Sequence, residues 1–243
     1  IWLVSTNEGS IVIDPGESEE IIKQMDNNLI DLKGILITHH HFDHTNGLSD
    51  LLDKKNLEVF GPQNNIDGIN NVVKEFDKFS IIGVNFEVIE IPGHTLDHLA
   101  FYSFNDGNPI LFCGDTLFNA GAGNCHNGGH PEELYTTFKS QLFELSDNTL
   151  IYPGHDYIAN NLEFTLDREP TNSQALSLLD EVKNQDENNA LVSTLALERE
   201  INTFFRLKNP SVQAKLREAF PDLPRDLDER TVFLKLRELR NDW

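Results

Sequence analysis

Cysteine is scarce in this chain, with only Cys113 and Cys125 among 243 residues. A secreted protein of this size more often carries a dense set of disulfides, so the scarcity argues against a disulfide scaffold and points to the reducing cytoplasm. Long apolar runs are also missing. No stretch approaches the roughly 18 consecutive apolar residues of a membrane helix, and the sequence reads as soluble with no membrane partner. Positive charge is the third shortage: 19 Lys and Arg face 40 Asp and Glu, a formal net charge of −21. Such a balance disfavours nucleic acid, anionic lipid and other polyanions as partners. Arginine is absent from residues 1–150, which hold 7 Lys and 23 acids, whereas all 8 Arg lie in residues 151–243 with 4 Lys and 17 acids. Guanidinium groups suited to bidentate carboxylate recognition are thus confined to the C-terminal part, with a solvated helical surface as the plain alternative. Nothing in the sequence implies a protein partner.

Residues 1–4 already read as a strand with no cap or basic leader before them, which leaves room for a further strand upstream. To about residue 155, short runs rich in Ile, Val and Phe alternate with helical spacing. The runs are Ser10 to Ile13, Gly34 to Thr38, Val84 to Ile91, Leu99 to Phe104 and Ile110 to Cys113, each bounded by turn residues. Asn105-Asp106-Gly107-Asn108 is a hairpin signal. Ser18 can cap a helix carrying Ile21, Ile22 and Met25, and Pro131 can open one carrying Leu134, Phe138, Leu142 and Leu145. Beyond about residue 156 the strand signal nearly vanishes. Thr171 or Asn172 can cap a helix with Ala175, Leu178, Leu179 and Val182, and Val232, Phe233, Leu236 and Leu239 stripe the last one. The layout is an α/β region, residues 1–157, followed by a smaller helical domain, residues 158–243.

The most informative residues are Thr38-His39-His40-His41-Phe42-Asp43-His44, directly after an apolar strand. A lone histidine is usually a packed or surface residue, but three further segments end apolar runs in the same way. These are Ile91-Pro92-Gly93-His94, Phe112-Cys113-Gly114-Asp115 and Ile151-Tyr152-Pro153-Gly154-His155. Each sets a metal-ligand type just past a strand, beside a glycine that permits close backbone approach. Sites gather beyond strand ends in open sheets, so loops distant in sequence can converge. Imidazole and carboxylate donors suit Zn, Fe or Mn, and nothing among them selects one metal.

The His-x-His-x-Asp-His signature followed by isolated His, Asp and His resembles that of the metallo-β-lactamase superfamily. The resemblance implies an α+β fold, the αββα sandwich, here followed by the helical domain. It implies one divalent ion held by His39, His41 and His94, a second by Asp43, His44 and His155, and Asp115 bridging them. Asp43 and Asp115 would be the catalytic carboxylates, and Asp14, in Ile13-Asp14-Pro15-Gly16, would support the ligands from behind. A water between two such ions is acidified toward neutral pH. His40, His98 and His130 are set aside from direct chemistry, and Cys113 is a packed thiol.

Within the superfamily the chain resembles glyoxalase II. Cys113-Gly114-Asp115-Thr116-Leu117-Phe118-Asn119-Ala120-Gly121, Gly154-His155-Asp156-Tyr157 with Asn161-Leu162-Glu163-Phe164, and the closing Leu236-Arg237-Glu238-Leu239-Arg240-Asn241-Asp242-Trp243 carry that resemblance. It implies hydrolysis of a glutathione thioester such as S-D-lactoylglutathione, with Arg237, Arg240 and Tyr157 on the substrate. Helical spacing puts the two arginines on one face, a fork suited to a carboxylate. The chain departs from the family at Asn124, Cys125 and His126, where a basic residue and an aromatic are usual. Asn124 and His126 are accordingly candidate substrate contacts of altered chemistry. An iron-dependent glutathione persulfide dioxygenase and a lactone or β-lactam hydrolase share the fold and are the rival readings, with a non-catalytic metal-binding protein behind them. His41 stands where diiron oxygen-reducing members carry a carboxylate, which favours hydrolysis.

Overall fold

The computed structural model describes residues 1–63, 66–104, 107, 109–184 and 191–243. One sheet is built from β1 (Trp2–Thr6), β2 (Gly9–Ile13), β3 (Leu32–Leu36), β4 (Glu58–Gly61) and β5 (Asn71–Val72), in that order. The second begins with β6 (Lys78–Ile81), β7 (Val84–Glu90), β8 (Leu99–Ser103) and β9 (Ile110–Gly114). After a two-stranded ribbon, β10 (Leu117–Phe118) and β11 (Gly121–Ala122), the chain adds β12 (Leu150–Pro153) and β13 (Ser193–Thr194), giving the order β13-β12-β9-β8-β7-β6. Helices α1 (Glu19–Asp26), α2 (Phe42–Thr45), α3 (Leu48–Lys54) and α4 (Pro131–Ser140) punctuate this part. They are followed by α5 (Ile158–Arg168), α6 (Ser173–Lys183), α7 (Leu195–Ile201), α8 (Pro210–Ala219) and α9 (Glu229–Asn241). No helix among the described residues is long and apolar enough to cross a membrane.

The period of two in the strands explains the sandwich. Ile11 and Ile13 enter the core shared with Phe86, Val88, Phe101 and Phe112, while Val12 between them faces the other way, onto Ile21 and Leu51 of α1 and α3. Leu36 points inward and Ile35 and Ile37 outward by the same alternation. In the second sheet Phe112 faces the inter-sheet core, while Leu111 and Cys113 join Leu134, Phe138, Phe204 and Phe233 beneath the helices. Helix, sheet, sheet, helix is therefore the layer order.

Several local expectations differ in detail. Ser18 stands at the start of α1 without capping it; its hydroxyl donates to Asp50 Oδ2 at 2.7 Å. Asn172, rather than Thr171, caps α6 by accepting from Ala175 N. The C-terminal part is not purely helical, because β13 pairs antiparallel with β12 and extends the second sheet. That strand is two residues long, too short to leave a periodic signal. Strands β8 and β9 are antiparallel neighbours as a hairpin requires, although Asn105, Asp106 and Asn108 of the turn lie outside the described residues.

Candidate metal centre

Strands β2 and β3 run parallel, and β7, β9 and β12 share one direction because each pairs with its neighbour accordingly. Their C-terminal ends deliver Asp14, His39 to His44, His94, Asp115 and His155 to one edge of the sandwich. Backbone bonds tie the delivered loops together: Asp14 N to Leu36 O at 2.9 Å, Leu99 N to Thr38 O at 2.9 Å and Gly154 N to Gly114 O at 2.8 Å. The chain pays locally for the convergence in backbone conformation. Asp14 has φ of 51°, a left-handed conformation that short polar residues tolerate better than most, and Gly114 has φ of 45°. A Cβ at Gly114 would also run into Thr38 and His98.

Each histidine of the first triad has one nitrogen held and the other aimed inward. His41 Nε2 donates to Asn127 O at 3.0 Å, and His94 Nδ1 to Asn124 O at 2.7 Å. His39 Nδ1 meets Thr38 Oγ1 at 3.0 Å. With those protons placed, His41 Nδ1 and His94 Nε2 face each other at 3.0 Å as two lone pairs, an arrangement that a cation between them would relieve. Buried His39 Nε2, His44 Nε2 and Asp115 Oδ1 have no hydrogen-bond partner. The ligand atoms of His39, His41 and His94 lie within 4.8 Å of one another, and so do those of Asp43, His44 and His155. Imidazole nitrogens and carboxylate oxygens gathered in two such groups fit two divalent cations.

Asp115 stands between the two triads. Its carboxylate oxygens lie 3.3 Å from His44 Nε2, 3.4 Å from His155 Nε2 and 3.6 Å from His94 Nε2. Asp43 Oδ2 is 3.1 Å from His155 Nε2 and 3.9 Å from His44 Nε2. Burial would raise the Asp115 carboxyl, but His155 and His44 outweigh it and hold the group well below the usual carboxylate range. For His44 burial opposes the charge, yet the nearby Asp115 carboxylate and the hydrogen-bonded Asp14 carboxylate carry the imidazole up to about 10. A proton and a metal ion compete for that Nε2. Burial, with neighbouring imidazoles, pushes His39 far down, so it offers a neutral ligand nitrogen.

Asp14 sits behind the ligands. Its Oδ1 accepts from Thr38 N at 2.7 Å, and its Oδ2 accepts from Thr38 Oγ1 at 2.7 Å and His44 Nδ1 at 3.0 Å. Both oxygens are engaged, which suits orientation of His44 and, through Thr38, of His39. His98 has a comparable place: it stacks on His39 with centroids 4.5 Å apart, and its Nε2 accepts from Asp115 N at 3.1 Å. Burial lowers it to about 3, keeping the acceptor neutral. His40 turns outward to Asp97 at 2.8 Å, and His130 caps α4 by accepting from Glu132 N.

Beside the centre lies a cavity of about 220 Å³ lined in part by Asn124, His126, Tyr157, Arg237 and Arg240, which brings together every residue singled out for substrate contact. Phe118, Asn161 and Trp243 also line it. In the sequence these three appear only within motifs, and no periodicity marks them as cavity residues. The Tyr157 ring stacks on His155 at 5.2 Å and 14°, so one cavity wall is continuous with a candidate ligand. Asn124 contributes its carbonyl to His94 and its Oδ1 to His126 N at 3.2 Å. Arg240 donates to Asn161 Oδ1 at 3.0 Å. Arg237 NH1 donates to Ala122 O at 2.6 Å and Gly123 O at 2.9 Å, and Nε reaches Asn241 Oδ1 at 3.3 Å. Among the described residues no carboxylate lies within salt-bridge distance of either arginine, and burial pushes Arg237 down to about 10.

Comparison with known proteins agrees with this architecture. The profile of the Metallo-beta-lactamase superfamily matches residues 1–155, and that of the Hydroxyacylglutathione hydrolase C-terminus matches residues 156–243. A hydroxyacylglutathione hydrolase of Nitrosococcus oceani is 53% identical over 96% of this chain and 90% of its own length. One from a Polaromonas species is 46% identical over the same shares. Among solved structures, ETHE1 from Myxococcus xanthus superposes with a TM-score of 0.65 at 24% identity, covering 98% of this chain and 91% of that one, a likeness of fold. The chain belongs to the metallo-beta-lactamase superfamily and, within it, to the hydroxyacylglutathione hydrolases.

Proposed function

We propose that this chain is a two-metal hydrolase that cleaves S-D-lactoylglutathione or a related glutathione thioester to a hydroxy acid and a free thiol. The observation that carries the reading is the pair Arg237 and Arg240, without carboxylate partners among the described residues of a chain of net charge −21, lining a cavity that adjoins the histidine cluster. Guanidinium groups at a cavity with no counter-charge suit an anion, and a glutathione thioester supplies carboxylates at a distance from its reacting carbonyl. The names of the relatives support the same substrate class.

His39, His41 and His94 would hold one divalent ion and Asp43, His44 and His155 the other, with Asp115 shared, as Zn, Fe or Mn. Such ions supply Lewis acidity and acidify water at neutral pH. The protein's own part is positional. Asp14, Thr38 and the Asn124 and Asn127 carbonyls fix the imidazoles, and Asp115 stays ionised in the field of His44 and His155. The arginines, with Tyr157, Asn124 and His126, anchor the far end of the substrate, which aligns the carbonyl. A thiolate with a pKa near about 8.5 leaves without a dedicated acid. On this reading residues 1–157 are the catalytic domain and residues 158–243 the substrate-binding domain. The two unbridged thiols, Cys113 and Cys125, fit work in the cytoplasm.

Parallel assays of zinc- and iron-loaded protein on S-D-lactoylglutathione, glutathione persulfide and a lactone test the proposal. Free thiol released from the thioester, with no oxygen uptake on the persulfide, is the expected result. Oxygen consumption on the persulfide, or lactone opening with an inert thioester, would overturn it.

A further inference from the structure

The segment 119–123, the turn and second strand of the ribbon with the residue after it, has its backbone polar groups taken up almost residue by residue by side chains of the C-terminal part. Asn119 O accepts from Asn161 Nδ2 at 2.9 Å, Ala120 N donates to Glu198 Oε2 at 2.8 Å and Gly121 O accepts from Asn202 Nδ2 at 3.0 Å. Glu198 is the centre of this clamp. Its Oε1 accepts from Ser193 Oγ at 2.7 Å and its Oε2 from Asn202 Nδ2 at 3.0 Å, while Ser193 Oγ accepts from Asn119 Nδ2 at 2.8 Å. Glu198 is fully buried, and among the described residues no cation is paired to it. A buried carboxylate surrounded only by neutral donors is costly to keep unless those donors need it. Here they do, because Ala120 holds φ at 57°, strained for a residue with a Cβ, and its N–H has no strand partner in that conformation.

The clamped segment leads straight into the metal centre. Gly123 N donates to Thr116 O at 3.1 Å, one residue past Asp115, and Gly123 packs so closely on the Asp115 carbonyl that a Cβ would collide with it. The next residue, Asn124, supplies the carbonyl that orients His94. We propose that Glu198 is a positioning residue for the reaction: by locking residues 119–121 it sets the Asn124 carbonyl on His94 and the backbone of Asp115. This rests on the hydrolase reading for its kinetic arm, but the placement of His94 can be read without any substrate. The clamp survives protonation, since a protonated Oε1 can donate to Ser193 Oγ while Oε2 keeps Ala120 N and Asn202.

The test compares E198A, E198Q and S193A with E169A in the full-length, zinc-loaded protein. Glu169 is buried too, held by Arg206 and Asn209, and bonds directly to no residue of the clamp or the centre, so it controls for loss of stability near the same helix. Two readouts are taken: kcat and KM on S-D-lactoylglutathione, and zinc affinity by competition with a chromophoric chelator. E198A should lose about 10-fold to 100-fold in zinc affinity and a similar factor in kcat, with KM changed much less. E198Q, whose amide can keep the Ala120 bond, should recover most of both, and S193A should fall between. If E198A does not fold, S193A and E198Q carry the comparison. Zinc affinity and kcat within about twofold of wild type in folded E198A, or in S193A where E198A is lost, would overturn the proposal, as would equal losses in E169A. An inert wild type would end the hydrolase reading while leaving the zinc arm to decide the clamp.

Discussion

The histidine cluster and the arginine cavity adjoin each other, yet they are left incomplete in opposite senses. At the cluster, among the described residues, His39 Nε2, His44 Nε2 and Asp115 Oδ1 have no hydrogen-bond partner, and the gathered imidazoles and carboxylates suit cations. At the cavity, Arg237 and Arg240 are cations with no carboxylate partner among the described residues, an arrangement suited to an anion. At the cluster the sign follows from polar groups the fold leaves unsatisfied, and at the cavity from charges that are hydrogen-bonded but carry no counter-charge. The two regions also differ in how their side chains are held. The imidazoles are fixed by carbonyls and by Asp14 within the first 157 residues, whereas the arginines reach back across the fold, Arg237 to Ala122 and Gly123 and Arg240 to Asn161.

The strongest way to break the comparison is at Asp115, the group closest to both triads. D115A should cut kcat by about 100-fold or more, several kcal/mol of transition-state stabilisation, in protein that remains soluble. Retention of a tenth of wild-type turnover would remove its bridging role. The arginines come next. A charge-assisted hydrogen bond is worth roughly 1.5 to 3 kcal/mol, so R240A should raise KM about 10-fold to 150-fold with kcat nearly unchanged. R237A should raise KM and also lower kcat, because Arg237 holds the Ala122 and Gly123 carbonyls next to the Asn124 support of His94. Identical kinetic signatures in the two variants would erase the difference between them. D14N should lower metal affinity by about 10-fold to 100-fold while leaving the far substrate contacts intact, which metal titration with parallel KM measurement reads directly.

The smallest effect is a matter of pH and stability. Burial pushes the Glu198 carboxyl from 4.5 up to about 7 against the pull of its donors, so the fold favours the protonated form. Its contribution is complete below about pH 4.5 and is lost as pH rises through 7. The stability of E198Q relative to wild type should therefore improve by up to about 3 kcal/mol over that window in urea titrations, and a flat difference would contradict it.

Much of this molecule was legible before any fold was in hand. The strands of the sandwich left runs at Ser10 to Ile13, Val84 to Ile91 and Ile110 to Cys113 because alternation and β-branched side chains are local properties. Helices α4 and α9 left theirs through Pro131 and the Val232, Phe233, Leu236, Leu239 stripe. The histidine loops stood out because ligand chemistry demands particular residue types directly after strand ends. The pairing of β13 with β12 and the failure of Ser18 to cap α1 left no such mark, since each depends on a partner that arrives from elsewhere in the chain.

What the sequence determined by itself was therefore the inventory: donor types, their spacing, the helical register of Arg237 and Arg240, and the confinement of arginine to the last third. Tertiary structure decided which atoms those residues leave free. Helical spacing put Arg237 and Arg240 on one face, but only packing of α9 against the ribbon gave Ala122 and Gly123 to one of them and Asn161 to the other. The sequence offers Glu198 only as one of 40 acids, and only the approach of residues 119–121 makes it the buried centre of a clamp. The physical reason is the same in each case. Residue type fixes what a group can bond, whereas desolvation and hydrogen-bond partners are properties of the neighbours, and the deciding neighbours here lie 78 to 115 positions away along the chain.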